Sequence, residues 1–186
     1  MSVRDDVRER AVDALTRLVR DIADFPEPGI VFKDITPLLA DPVGFGAVVE
    51  AMAAAGRDES GAVVVDKVVG MEARGFILAA PVALTLGVGF APVRKAGKLP
   101  HDTHQVDYAL EYGEAVLELH QDAVAPGERV LLVDDVLATG GTAGATCDLV
   151  RRCGAEPVGF AVLMELGFLD GRTALGEVPV HALQRI

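Results

Sequence analysis

The sequence predicts an α/β fold, a central, mainly parallel sheet flanked by helices. Three observations carry this. Strand-like and helix-like stretches alternate through most of the chain, the pattern of βα units. Predicted strands at 63–69, 88–94, 129–134 and 157–164 are almost wholly apolar, as strands covered on both faces are. Residues 130–142, VLLVDDVLATGGT, run from one such strand through two carboxylates and a small-residue loop into a helix.

The elements follow in order. Val7, Ala11, Ala14, Leu15, Leu18, Val19 and Ile22 share a helical stripe, which predicts a helix over 4–22. Residues 25–29 form a proline-punctuated loop, and Asp41-Pro42 opens a second helix reaching about residue 55. A strand over 63–69 is interrupted only by Asp66 and Lys67. Residues 76–93 hold no charge and touch the length of a membrane span, yet Pro81, Gly87, Gly89 and Pro92 interrupt them. A buried helix to about Leu86, a glycine turn and a buried strand read better. The polar stretch 94–107, RKAGKLPHDTHQVD, predicts a long loop, and a hairpin follows through 108–119. After the strand at 129–134, Thr146, Leu149, Val150 and Cys153 mark one face of a helix over 142–153 that Gly154 closes. No repeat or linker divides the 186 residues, so one domain over 1–186 is expected.

Composition narrows the partners. A net charge of −11 argues against a nucleic-acid surface, and a phosphorylated substrate would need a local basic patch; Arg74, Arg94, Lys95 and Lys98 could supply one. Cys147 and Cys153 lie six residues apart in one predicted helix, about 9 Å along its axis and beyond disulfide reach. Two unpaired thiols and an N-terminal stretch without an apolar signal core point to the cytoplasm, with no membrane partner.

The chemistry concentrates at 134–142. Asp134 and Asp135 stand at the carboxyl end of a strand, where they can accept hydrogen bonds from hydroxyls or meet a metal. Ala138, Thr139, Gly140, Gly141 and Thr142 offer backbone N–H groups and two hydroxyls at a helix N-terminus, an anion site. A carboxylate pair beside a phosphate cradle suits a ribose phosphate. The glycines fit neither a Walker loop nor the dinucleotide fingerprint.

This motif resembles the phosphoribosyl pyrophosphate (PRPP) signature of the type I phosphoribosyltransferases. FPEPGIVFKDITP at 25–37, GMEARGF at 70–76, RKAGKLP at 94–100 and LEYG at 110–113 narrow the resemblance to the adenine phosphoribosyltransferase family, over about residues 20–170. It implies the type I phosphoribosyltransferase fold, with an N-terminal helix and base-binding hood over 1–40 and a flexible catalytic lid loop over 94–112. The implied reaction joins adenine to PRPP, giving AMP and pyrophosphate, with Mg2+ bound through PRPP or pyrophosphate and no direct protein ligand. A homodimer is implied as well.

The resemblance also implies roles. Asp134 and Asp135 would hold the ribose, and Ala138, Thr139, Gly140, Gly141 and Thr142 the 5′-phosphate. Glu72, Ala73 and Arg74, with a cis peptide at 72–73, would face pyrophosphate together with Arg94, Lys95 and Lys98. Gly70 and Gly75 would permit tight turns there. Glu111 would stand near the base as proton acceptor or transition-state stabiliser. Adenine would lie between Phe32 and Val136, its edge read by Val31 and Lys33. Read from the residues alone, Arg74 could instead cap the helix after it, Glu111 could be a solvated turn carboxylate, and Phe32 could be core. Ala96 stands where family members can carry a further basic residue. His101 and His104 lack partners at metal spacing and read as solvated loop residues. Two other functions share this motif. A PRPP-sensing regulator would need a basic face or DNA-binding appendage, and neither is evident. A transferase for xanthine, hypoxanthine or orotate fits the 25–33 and 111–113 segments less well.

Overall fold

A computed structural model describes residues 3–109 and 114–186, in two compact units, Met1–Ala51 and Met52–Ile186. In the smaller unit, helix α1 (Val3–Leu18) places Asp5 and Asp6 in its first turn and Arg17 in its last, complementing the helix dipole. Val7, Ala11, Ala14 and Leu15 form its buried stripe. The helix ends four residues before the predicted limit. Ile22 instead pairs with Phe32 in an antiparallel ribbon of β1 (Arg20–Ala23) and β2 (Val31–Asp34). Local helical periodicity loses here to a ladder that Arg20 clamps: its Nε and a terminal nitrogen donate to Asp34 Oδ2 at 3.1 and 2.6 Å. Beyond β2 come the short α2 (Thr36–Ala40) and α3 (Pro42–Ala53); the Asp41 carboxylate accepts the Gly44 N–H at 2.6 Å, capping α3.

The larger unit is built on a seven-stranded sheet. Its strands are β3 (Lys67–Met71), β4 (Gly89–Lys95), β5 (Thr103–Ala109), β6 (Glu114–His120), β7 (Arg129–Leu137), β8 (Glu156–Glu165) and β9 (Val180–Arg185). They lie in the order β5-β6-β4-β3-β7-β8-β9. The β4-β3-β7-β8-β9 portion is parallel, and β5 and β6 run antiparallel at one edge. Helices α4 (Arg74–Leu86) and α5 (Gly141–Arg152) follow β3 and β7. Val69, Met71, Leu132, Leu149, Val150 and Phe160 belong to the buried apolar core. From β3 the chain steps to β4 on one side, and β7 lies on the other. The carboxyl ends of β3 and β7 therefore flank a topological switch point, where open α/β sheets bind ligands.

Three predicted boundaries move. β3 starts at Lys67 rather than 63, because the Asp66 carboxylate takes the Arg129 N–H at 2.8 Å and Val63 sits in an isolated bridge with Arg57. The predicted loop over 94–107 shrinks to 96–102: Arg94 and Lys95 finish β4, and 103–107 pair with β6. Polar residues can form that strand because Val106 and the partly buried Tyr108 supply its core face. β7 runs three residues past Asp134, and β9 was not predicted. The helix expected to reach about Leu86 is α4; it carries Pro81 inside it and ends at the left-handed Gly87. Among the described residues no helix is long and apolar enough to cross a membrane. Cys147 and Cys153 are free and buried.

Candidate active site at the carboxyl ends of β3 and β7

The acid pair stands near the end of β7. Strand alternation turns the two side chains to opposite faces, yet Asp134 Oδ1 accepts the Asp135 backbone N–H at 2.8 Å. Burial, and then the neighbouring Asp135 carboxylate, push the Asp134 carboxyl well above the usual carboxylate range. Asp135 is 4% exposed, and Arg74 Nε approaches its Oδ2 at 2.8 Å. That approach is an ion pair without hydrogen-bond alignment, so Oδ2 is a buried acceptor lacking a hydrogen-bond donor among the described residues.

Beside the pair, Asp134, Val136, Leu137, Ala138, Thr139, Gly140, Gly141, Thr142, Ala143 and Phe160 line a cavity of about 90 Å³. α5 begins at Gly141, so the amides of its first turn have no acceptor within the helix. Gly140 adopts φ 84°, a left-handed turn that hands the chain from strand to helix. A Cβ there would lie 2.2 Å from the Gly171 carbonyl oxygen, and one on Gly171 would lie 2.1 Å from that of Ala138. The two glycines interlock, fixing the cradle against the segment after β8.

The loop after β3 supplies the cations. The Glu72–Ala73 peptide is cis, as the resemblance implied, and Arg74 opens α4. Gly70 and Gly75 do not serve the tight turns expected of them; neither has positive φ. They permit close approach instead: a Cβ on Gly70 would lie 2.6 Å from that of Ala79, and one on Gly75 2.9 Å from Asp134 Oδ1. Glu72 gathers the basic residues at the end of β4. Its carboxylate accepts Arg94 Nε at 3.2 Å, the Lys95 backbone N–H at 3.1 Å and Lys98 Nζ. These donors hold the Glu72 carboxyl below its usual value despite the opposing effect of burial.

The remaining predicted residues are distributed as follows. In the smaller unit Phe32 is half-buried rather than core, and its ring meets Phe25 edge-on at 5.2 Å. Val31 is exposed, and Lys33 Nζ pairs with Asp21 at 2.7 Å. Val136 is half-buried in the cavity wall. Glu111, with the LEYG segment, lies outside the described residues. His101 is exposed and its backbone N–H reaches His120 Nε2 at 3.4 Å. Among the described residues no group of three or more His, Cys, Asp or Glu could hold a metal. Leu137, Phe160 and Gly171 were missed by the sequence reading. The apolar two look like any core residue in sequence, and the glycine owes its role to a contact across the fold.

Fold and site together define an α/β protein with an acid pair and a glycine-lined cavity at the switch point of its sheet. Residues 43–177 match the family model described as phosphoribosyl transferase domain. A Nocardioides adenine phosphoribosyltransferase is 70% identical, the match covering 89% of this chain and 90% of the relative. The crystal structure of the Rhodothermus marinus adenine phosphoribosyltransferase is 49% identical, with a TM-score of 0.87 over 96% of this chain and 99% of that one. That of the Saccharomyces cerevisiae enzyme, complexed with an imino-altritol bisphosphate and adenine, is 38% identical, with a TM-score of 0.89 over 94% and 98%. The chain belongs to the adenine phosphoribosyltransferases, purine-salvage enzymes that transfer the 5-phosphoribosyl group of PRPP to adenine.

Proposed function

We propose that Asp134 and Asp135 accept hydrogen bonds from the ribose hydroxyls of PRPP while Ala138, Thr139, Gly140, Gly141 and Thr142 hold its 5′-phosphate. Two observations carry this reading: Asp134 stands in the wall of the glycine-lined cavity, and the buried Oδ2 of Asp135, ion-paired with Arg74, lacks an aligned hydrogen bond among the described residues. A hydroxyl donor would satisfy it. In the reaction the bond from ribose C1 to pyrophosphate breaks and one to adenine N9 forms. The negative charge carried by the acid pair stabilises the positive charge that develops on the ribose between these events.

Pyrophosphate is assigned to the loop of Glu72, Ala73 and Arg74 and to Arg94, Lys95 and Lys98. Arg74 rests on Asp135, and Arg94 and Lys98 rest on Glu72. Each cation is thus held by a carboxylate until the more highly charged donor competes for it. The role of Glu72 in this reading is to gather cations, since a carboxylate repels phosphate. Within the 94–112 segment that the resemblance marks as a lid, the loop at 96–102 is assigned to keeping water from the ribosyl cation. Glu111 takes the proton from the base. The assignment of adenine to Val31, Phe32, Lys33 and Val136 follows from the family resemblance alone. The residues fit a Mg2+ carried by PRPP, because neighbouring Asp134 and Asp135 offer only two carboxylates and Arg74 already faces one. The ion would neutralise pyrophosphate charge when bound. A cytoplasmic homodimer completes the reading; the free, buried Cys147 and Cys153 suit a reducing compartment.

A panel of bases with PRPP and Mg2+ tests this. Adenine is expected to be consumed and hypoxanthine, xanthine and orotate spared. Faster turnover of hypoxanthine than adenine overturns the assignment.

A further inference from the structure

Glu118, in β6, is one of four polar or charged residues buried among the described residues, at 4% exposure. It stands at the centre of the antiparallel edge, directly across from Arg94 on one side and Gln105 on the other. Its two oxygens are divided between two neutral donors. Oε1 accepts Gln105 Nε2 at 2.7 Å, and Oε2 accepts the backbone N–H of Gly97 at 3.0 Å. Arg94, although opposite, turns its guanidinium to Glu72 and to the Lys98 carbonyl. A buried carboxylate facing only neutral donors is costly, and a sheet needs none there. What it supplies is two acceptor oxygens on one side chain, which Gln does not have.

Gly97 is the turning point of the basic loop. It adopts φ 80° between Lys95 and Lys98, and the Ala96 N–H is tied to the Val116 carbonyl at 3.0 Å. Glu118 therefore pins the turn from beneath, so that Lys98 comes back to meet Glu72 beside Arg94. We propose that Glu118 is a positioning residue for pyrophosphate recognition: it touches no substrate and sets where Arg94 and Lys98 present their charge. The inference rests on the assignment of those two residues to pyrophosphate.

The test compares Glu118→Ala, Glu118→Gln and Lys98→Ala for KM of PRPP, KM of adenine, kcat and calorimetric Kd of pyrophosphate. Lys98→Ala reports on the assignment itself and is expected to weaken both PRPP and pyrophosphate. Glu118→Ala removes both acceptors and is expected to raise the KM of PRPP and the Kd of pyrophosphate about tenfold, with adenine KM and kcat held within about twofold. Glu118→Gln keeps one acceptor and should fall between. Should Glu118→Ala fail to unfold cooperatively, Glu118→Gln decides alone, a selective rise supporting the role. If Lys98→Ala weakens pyrophosphate while the folded Glu118 variants match wild type, the positioning role is overturned and the assignment stands. An unchanged Lys98→Ala overturns both.

Discussion

Asp134 is kept at a cost that its surroundings create. Its carboxyl is pushed well above its ordinary value, first by burial and then by Asp135, so the folded state holds a proton that the unfolded chain releases. Stability from this group is therefore greatest below the unfolded value of 3.8 and falls as pH rises toward the folded one. Asp134→Asn keeps an oxygen for the Asp135 N–H and removes that cost. Calorimetry is expected to show a higher Tm for the variant at pH 8, with the gap to wild type narrowing toward pH 4, while activity falls. Asp135→Asn should leave the fold intact and lower turnover by on the order of 10²-fold, read in a steady-state assay; wild-type turnover would remove Asp135 from the mechanism. At Cys147, burial pushes the thiol up to about 11, so Ellman's reagent should leave it unmodified at pH 8 until the protein is unfolded.

At the scale of elements, periodicity served where one force dominated. α4, β4, α5 and β8 were legible because apolar runs end at Gly87 or Gly154, or begin at Pro157, and burial then decides the rest. β1 was invisible: Ile22 fits a helical stripe and a ladder equally well, and the Arg20–Asp34 clamp spans 14 residues. β5 resembles a loop in sequence because its outward residues are polar, and β9 carries His181, Gln184 and Arg185 in a six-residue edge strand. The acid pair and cradle could be read from contiguous residues. The Glu72 cluster and the Glu118 tether could not, since their partners lie 13 to 26 positions away. The β1–β2 ribbon also has a pH signature. Hydrogen bonds from Thr36, followed by Arg20, hold Asp34 at about 2 against an ordinary 3.8. Its contribution is complete above 3.8 and is lost as pH falls through about 2. Acid unfolding of Asp34→Asn should accordingly show a flatter limb across that window in a circular-dichroism titration.

Across the whole molecule, a body of net charge −11 sets Arg74, Arg94, Lys95 and Lys98 together at the start of α4 and the end of β4. An anionic donor is drawn only locally, and half-exposed Arg74 and Lys98 are open to salt. Raising ionic strength from about 0.05 to 0.5 M should raise the KM of PRPP and leave that of adenine nearly unchanged. Sedimentation equilibrium is expected to return twice the mass of one chain. The paired glycines have a consequence for descent. A methyl group at position 140 or 171 would strike backbone rather than a yielding side chain, and altering both at once doubles the collision. Neither site offers a first step, so a substitution that this fold tolerates has to fall away from the cradle floor, at the rim, where a new side chain has somewhere to go.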